Sequence, residues 1–289
     1  MDAEKHHYPI SRMADLLGVD RRRYYDWVGA QVRAWTNQEA RAYALADIIS
    51  WVHDMSDGTY GAPRIHQELI ALGWQVSLNT VAKIMSLCGI QGISPRRFHP
   101  VTTSQGDDPV PVADLVCHQF DQGAPNLVWT CDITYLAYGT RWAYLCAIKD
   151  GNTRRILGRS VETHMRADLV QTCINQAITL RGTLPTKVVF HADRGSQFTS
   201  QQIADLAAGL PILRSMGRTG VCWDNAQIES FWSTFKHEYY YRHVFTTLDE
   251  LRQGTYTWID GWYNTKRRHS AIGYLSPLEY EQHLEQQTN

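Results

Sequence analysis

Between residues 127 and 240 the chain changes its hydrophobic period in a fixed order, and that order limits the folds open to it. Leu127–Tyr138, Trp142–Ile148 and Arg155–Val161 read as strands, the first two joined at Tyr138-Gly139-Thr140. Ala167–Leu180 follows with helical spacing. Lys187-Val188-Val189-Phe190 is then a short apolar strand of the buried, parallel type. Ser200–Leu206 reads as a helix, Pro211–Leu213 leads a short strand, and Asp224–Tyr240 is a long helix. Three meandering strands followed by helix, strand, helix, strand, helix predict a mixed α/β sheet with helices on its faces.

The residues before this region carry helical spacing instead. Ile10, Met13, Leu16 and Leu17 share one face, Gly18 ends that helix, and Asp20 caps a second through Tyr24, Tyr25 and Trp27. Helix, Gly-containing turn, helix is the helix-turn-helix layout, and Arg21-Arg22-Arg23 at the start of the second helix suit phosphates or guanine edges. The pattern recurs. Pro63 starts a helix that Gly73 closes, and Ser77 caps another with Val81, Ile84, Met85 and Cys88 on one face, closed by Gly89. Spacing alone leaves DNA binding and a bundle that merely packs or dimerises equally open. The stretch from 92 to about 125, with Pro95, Pro100, Pro109, Pro111 and Pro125, reads as a linker. The expected units are a helix-turn-helix over 1–40, a second helical unit over 41–95, a linker over 96–122, a catalytic core over 123–245 and a helical extension over 246–289.

Asp132 interrupts the first strand run, Trp129-Thr130-Cys131-Asp132-Ile133-Thr134-Tyr135, where an unpaired buried charge is costly. Asp193 follows closely on the short parallel strand, and ligands of α/β sheets gather beyond the carboxyl ends of strands. Glu229 lies in the last long helix. Three carboxylates on three elements suit hard divalent cations, and two such ions can drive phosphodiester chemistry with no Ser, Cys or His nucleophile. With 29 acidic residues in the chain, trios also arise by chance. A capping Asp193, a salt-bridged Asp132 and a solvated Glu229 are the plainer alternatives. Lys236, seven residues after Glu229, falls within about 20° of the same helix face at 100° per residue, suited to a DNA phosphate or simply to the surface.

The net charge of −1 is unlike many nucleic-acid binders, so any DNA contact rests on local patches or a partner. The six cysteines have no metal-ligand spacing and read as small buried hydrophobes in a reducing compartment. Apolar runs fall short of the roughly 18 residues of a membrane span, and no signal-peptide pattern opens the chain. These features predict a cytoplasmic protein without a membrane partner.

The blocks Trp129–Tyr135, His191-Ala192-Asp193-Arg194-Gly195-Ser196-Gln197-Phe198-Thr199-Ser200, Trp223-Asp224-Asn225-Ala226-Gln227-Ile228-Glu229-Ser230-Phe231-Trp232 and Tyr263-Asn264-Thr265-Lys266-Arg267-Arg268-His269 through Pro277 resemble those of DDE recombinases. Thirty-five residues separate Asp193 from Glu229, the spacing of that group. The nearest resemblance is to the second-reading-frame (OrfB) product of the IS-three family of bacterial insertion sequences. Tyr60-Gly61-Ala62-Pro63-Arg64-Ile65-His66 and Leu16-Leu17-Gly18-Val19-Asp20 resemble its helix-turn-helix region. The resemblance implies an RNase H-like fold and a transposase that cleaves and joins DNA at inverted repeats. It implies Mg²⁺ or Mn²⁺, as two ions on Asp132, Asp193 and Glu229, and Lys236 as a DNA contact. It implies a homo-oligomer on inverted-repeat and target DNA, found at the nucleoid when bound, and an OrfA segment joined by fusion or association.

Other residues carry two readings each. His191 either packs and hydrogen-bonds or orients a ligand. Asp224 and Asn225 cap the Glu229 helix or touch the DNA end. Arg194, Arg267 and Arg268 are expected phosphate contacts, against a solvated basic face. Trp232, Trp258 and Trp262 are expected in the core or an interface. A nuclease that hydrolyses without joining, and a regulator that only binds DNA, are the competing functions.

Overall fold

The computed structural model describes residues 1–32, 36–94, 112–184, 187–217 and 225–288. Pro95, Pro100, Pro109 and Pro111 of the expected linker lie outside these residues, as do Cys222, Trp223 and Asp224.

Five strands form one sheet in the order β3-β2-β1-β4-β5. They are β1 (Val128–Tyr138), β2 (Arg141–Asp150), β3 (Ile156–Glu162), β4 (Val188–Ala192) and β5 (Ile212–Met216). The three meandering strands pair antiparallel, whereas β1, β4 and β5 run parallel. The switch follows from the connections: short turns link β1 to β2 and β2 to β3, while helices cross over to β4 and β5. The mixed sheet expected from the periods is therefore present.

Side-chain alternation along β1 separates two cores. Trp129 and Cys131 face a cluster with helices α6 (Ala167–Arg181), α7 (Ser196–Thr199) and α8 (Gln201–Ala208). Leu136 and Tyr138 face the other cluster, built by α9 (Ala226–Glu238), α10 (Leu248–Trp258) and the π-helical turn Ile259–Tyr263. Asp132 has the parity of Leu136 and so belongs to the α9 side. The residues after 245 supply Leu251, Trp258, Ile259 and Tyr263 to that core, so the expected extension completes the sheet's second layer. The final helix α11 (Pro277–Thr288) is fastened by Glu281, which accepts from Thr153, Arg155 and Arg181.

At Gly158 the packing between sheet and helix requires glycine. Gly158 on β3 sits so close to α6 that an added β-carbon would collide with the carbonyl oxygen of Cys173. No bulkier residue lets α6 seat on the sheet at this depth.

The N-terminal region holds α1 (Ile10–Leu17), α2 (Arg21–Val32), α3 (Asn37–Met55), α4 (Ala62–Ala71) and α5 (Leu78–Leu87). Asp20 caps α2 by accepting from the Arg22 amide at 2.8 Å, and Gly18 closes α1 with a φ of 64°. The expected apolar face of α1 does not pack: Leu16 and Leu17 are 79% and 63% exposed. The second unit is better built. Leu45, Ile49, Val52, Ile65, Leu69, Val81 and Met85 make one core across α3, α4 and α5. Helix α3, started by a Thr36–Glu39 capping box, runs through the boundary expected at residue 40.

The later part of the expected linker is structured. The Leu115 amide donates to Ser215 Oγ at 2.9 Å, Met216 donates to the carbonyl of Ala113, and Val116 is buried. This segment clings to the β5 edge through its own backbone groups, bonded to one β5 amide and one β5 hydroxyl, which leave no hydrophobic period to read. The cysteines also divide. Cys131, Cys146 and Cys173 are buried as expected, but Cys88 and Cys117 are exposed. No helix among the described residues is long and apolar enough to cross a membrane.

Candidate active site

Asp132 sits in the middle of β1, opposite Ala147 of β2. The indole of Trp232 donates to Asp132 Oδ2 at 2.8 Å, and the Ile133 amide donates to Oδ1 at 2.8 Å. Desolvation, reinforced by the negative charge of Asp193, pushes the Asp132 carboxyl up to about 7, although both hydrogen bonds favour the ionised form.

Asp193 stands one residue past the end of β4. The parallel register pairs Thr130 with His191, and its one-for-one continuation brings Asp193 level with Asp132. An exposed side chain there accepts from the Gly195 amide at 2.9 Å, which holds the loop into α7.

Glu229 lies in the first turn of α9. The start of that helix is tied to β1, because Asn225 Nδ2 donates to the Cys131 carbonyl at 3.0 Å. Glu229, Trp232 and Lys236 form one stripe at helical spacing. Trp232 reaches Asp132, and the Lys236 amine is lowered by burial and raised in part by the Asp132 charge. Partial desolvation raises the Glu229 carboxyl. The fold thus gathers Asp132, Asp193 and Lys236, while Glu229 stays on the solvent side of the stripe. Among the described residues no three Asp, Glu, His or Cys side chains come together closely enough to hold a metal ion.

Several expected DNA contacts are committed elsewhere. Arg267 is 3% exposed and forks onto Glu238 at 2.7 and 2.6 Å. Arg268 pairs with Glu68 at 2.7 Å and donates to the Tyr274 carbonyl. Arg194 spans the carbonyls of Gly217 and Val112 at 2.9 and 3.0 Å. Asn225 is 8% exposed and faces Cys131 rather than solvent. The reason is shared: each planar donor group lies among fixed acceptors, where leaving them unsatisfied costs more than a surface contact returns. His191 also packs, 1% exposed, with Nδ1 at 2.9 Å from Ser215 Oγ. Arg21, Arg22 and Arg23 are exposed on the first turn of α2 and make no ion pair among the described residues. Cations at a helix N-terminus oppose its dipole, so this placement has a cost that folding does not require.

Trp232 was legible only as a core residue. Its spacing of three from Glu229 was the one sign that it shares the acidic stripe.

The integrase core domain family matches residues 122–222 and, through a second profile, 211–277. An HTH-like domain matches residues 40–98, the span of α3, α4 and α5. Transposase InsF for insertion sequence IS3A of Escherichia coli (strain K12) is 33% identical over 283 residues, 96% of each chain. The insertion element IS600 uncharacterized 31 kDa protein of Shigella sonnei is 31% identical over 274 residues, covering 95% of this chain and 99% of that one. Among solved structures, the BIV integrase catalytic core domain is 20% identical, with 57% of this chain and 99% of that one covered and a TM-score of 0.41. A mixed sheet flanked by helices, two aspartates level across parallel strands and full-length likeness to InsF converge: the chain belongs to the IS3 family of insertion-sequence transposases.

Proposed function

We propose that this transposase performs DNA cleavage and strand transfer with Asp132, Asp193 and Glu229 as the ligands of divalent ions, Mg²⁺ or Mn²⁺, two per site. The observation that carries this is the juxtaposition of Asp132 and Asp193. Desolvation, with the negative charge of Asp193 beside it, raises the Asp132 carboxyl to about 7, a cost that a cation there relieves. The donor set fits, since carboxylate oxygens are what hard divalent cations take. When bound, such ions activate the attacking oxygen and stabilise the leaving oxygen of a phosphodiester.

The protein's own groups have separate tasks. Trp232 fixes the rotamer of Asp132 through its indole N–H. Gly195 holds Asp193 at the mouth of its loop. Lys236, close enough to feel Asp132, sets a positive charge where the scissile phosphate lies. Glu229, exposed in the first turn of α9, would complete the set. Arg21, Arg22 and Arg23 contact DNA phosphates through the first helix pair. The partners are inverted-repeat ends and target DNA, a second copy of the chain on DNA, and an OrfA segment by fusion or association.

Thermal unfolding with added Mg²⁺ tests the ligand set without relying on activity. Wild-type protein should gain about 2.7 kcal/mol at 100 times the dissociation constant, and Asp193→Asn should lose that gain. An undiminished response in Asp193→Asn would remove it from the site.

A further inference from the structure

Helix α9 has a second polar face. At 100° per residue, Gln227, Ser230 and Thr234 lie about 100–180° around the helix from Glu229 and Lys236. They line a pocket of about 230 Å³ on the far side from the carboxylates. Its other walls come from the HTH-like domain, the sheet and the C-terminal segment: Arg64 of α4, Lys149 of β2, Arg154 of the β2–β3 turn, and Arg267 and His269 after α10.

The charges in this pocket do not balance. Glu238 is the buried carboxylate, and it already takes Arg267 in a fork and Arg64 at 3.4 Å. Asp121, outside the lining, is 3.9 Å from Arg154. Lys149 is 4% exposed, and its amine donates to the Gln227 carbonyl at 3.0 Å with no carboxylate partner among the described residues. The Nε of Arg154 is buried with no acceptor among the described residues. Arg154 also adopts a φ of 67°, a left-handed conformation that is uncommon for a non-glycine residue. Buried cations without anions are unfavourable unless something supplies the charge. Burial and the neighbouring guanidinium groups of Arg154 and Arg267 accordingly hold the Lys149 amine well below its ordinary range.

We propose that this pocket binds a phosphate group, with Lys149, Arg154 and Arg64 as its donors. The volume suits a tetrahedral oxyanion with some of its hydration, at roughly 30 Å³ per water. The phosphate is either free in solution or part of a DNA backbone that runs across the mouth of the pocket. In both cases it meets the charges of Lys149 and Arg154, which Glu238 does not neutralise. The pocket is independent of the metal ligands, because it lies on the opposite face of α9.

The test uses the full chain and inorganic phosphate, titrated at constant ionic strength against chloride, with the thermal midpoint as readout. Wild-type protein should show a saturable rise, and Arg154→Gln should shift the half-saturating concentration up by roughly tenfold. Lys149→Met fills the buried stem with an apolar chain of similar length and should do the same. Duplex binding against salt then separates the two sources. A DNA-backbone phosphate predicts that Arg154→Gln lowers the slope of log affinity against log salt by about 0.9, whereas free phosphate predicts an unchanged slope. A phosphate response identical in wild type, Arg154→Gln and Lys149→Met, with no change in slope, overturns the proposal. If Mg²⁺ stabilisation fails while phosphate binding persists, only the metal assignment falls.

Discussion

Arg267 and Asp132 each read differently once their surroundings are known. Arg267 stands in a basic run that suits DNA, yet its guanidinium is buried against Glu238, which also receives Arg64 from the HTH-like domain. Removing one partner strands the other as a buried charge. Arg267→Ala should therefore lower unfolding free energy by about 3–5 kcal/mol, measured by urea denaturation. An unchanged midpoint with weakened DNA binding would restore it as a phosphate contact. Asp132 carries its cost as pH dependence. Its carboxyl rises from an ordinary 3.8 to about 7, so the folded state holds a proton that the unfolded state has released. Metal-free protein should lose stability as pH rises from 3.8 toward 7. Each pKa unit is worth about 1.4 kcal/mol. Asp132→Asn keeps an acceptor for one of the two donors and removes the charge. Its melting temperature should exceed that of wild type above pH 7 in the presence of chelator, and identical pH profiles would contradict this.

At the scale of elements, the strands were legible because half-buried and fully buried strands impose simple periods. All five strands appear close to their expected positions, and Ser77 and Asp20 cap the helices they were expected to cap. Other elements were less readable. Leu45, Ile49 and Val52 of α3 face the core, but Tyr43, Trp51 and Met55 on the same helix are exposed, which blurs its apolar stripe. In α1, the apolar stripe was clear yet has little to pack against. Ala113 and Leu115 bond to β5 through their main-chain groups, which no apolar pattern of their own announces. The position of Asp132 was legible as an acid in a strand, but its tie to Trp232 needed the fold. Gly158 gives a test of the packing between elements. Gly158→Ala should cost about 1–3 kcal/mol, as overpacking does, because the obstacle is the α6 backbone rather than a movable side chain. A neutral Gly158→Ala in thermal denaturation would show that α6 sits less tightly than described.

Across the whole molecule, α9 is the part on which everything else converges. One face turns Trp232 and Lys236 toward Asp132, another fills the core with Ile228, Phe231 and Phe235, and a third lines the cationic pocket. Its end carries Glu238, the acceptor that ties the HTH-like domain and the C-terminal segment to the core. Glu229 is exposed in the first turn of this helix, and among the described residues no three Asp, Glu, His or Cys side chains come close enough to hold a metal ion. The central claim is that Glu229 joins Asp132 and Asp193 to catalyse strand transfer. The most direct measurement is joining of labelled inverted-repeat oligonucleotides in Mg²⁺ by Glu229→Gln, with its melting temperature recorded alongside. The variant should melt like wild type and give no joined product, whereas joining at the wild-type rate would contradict the account.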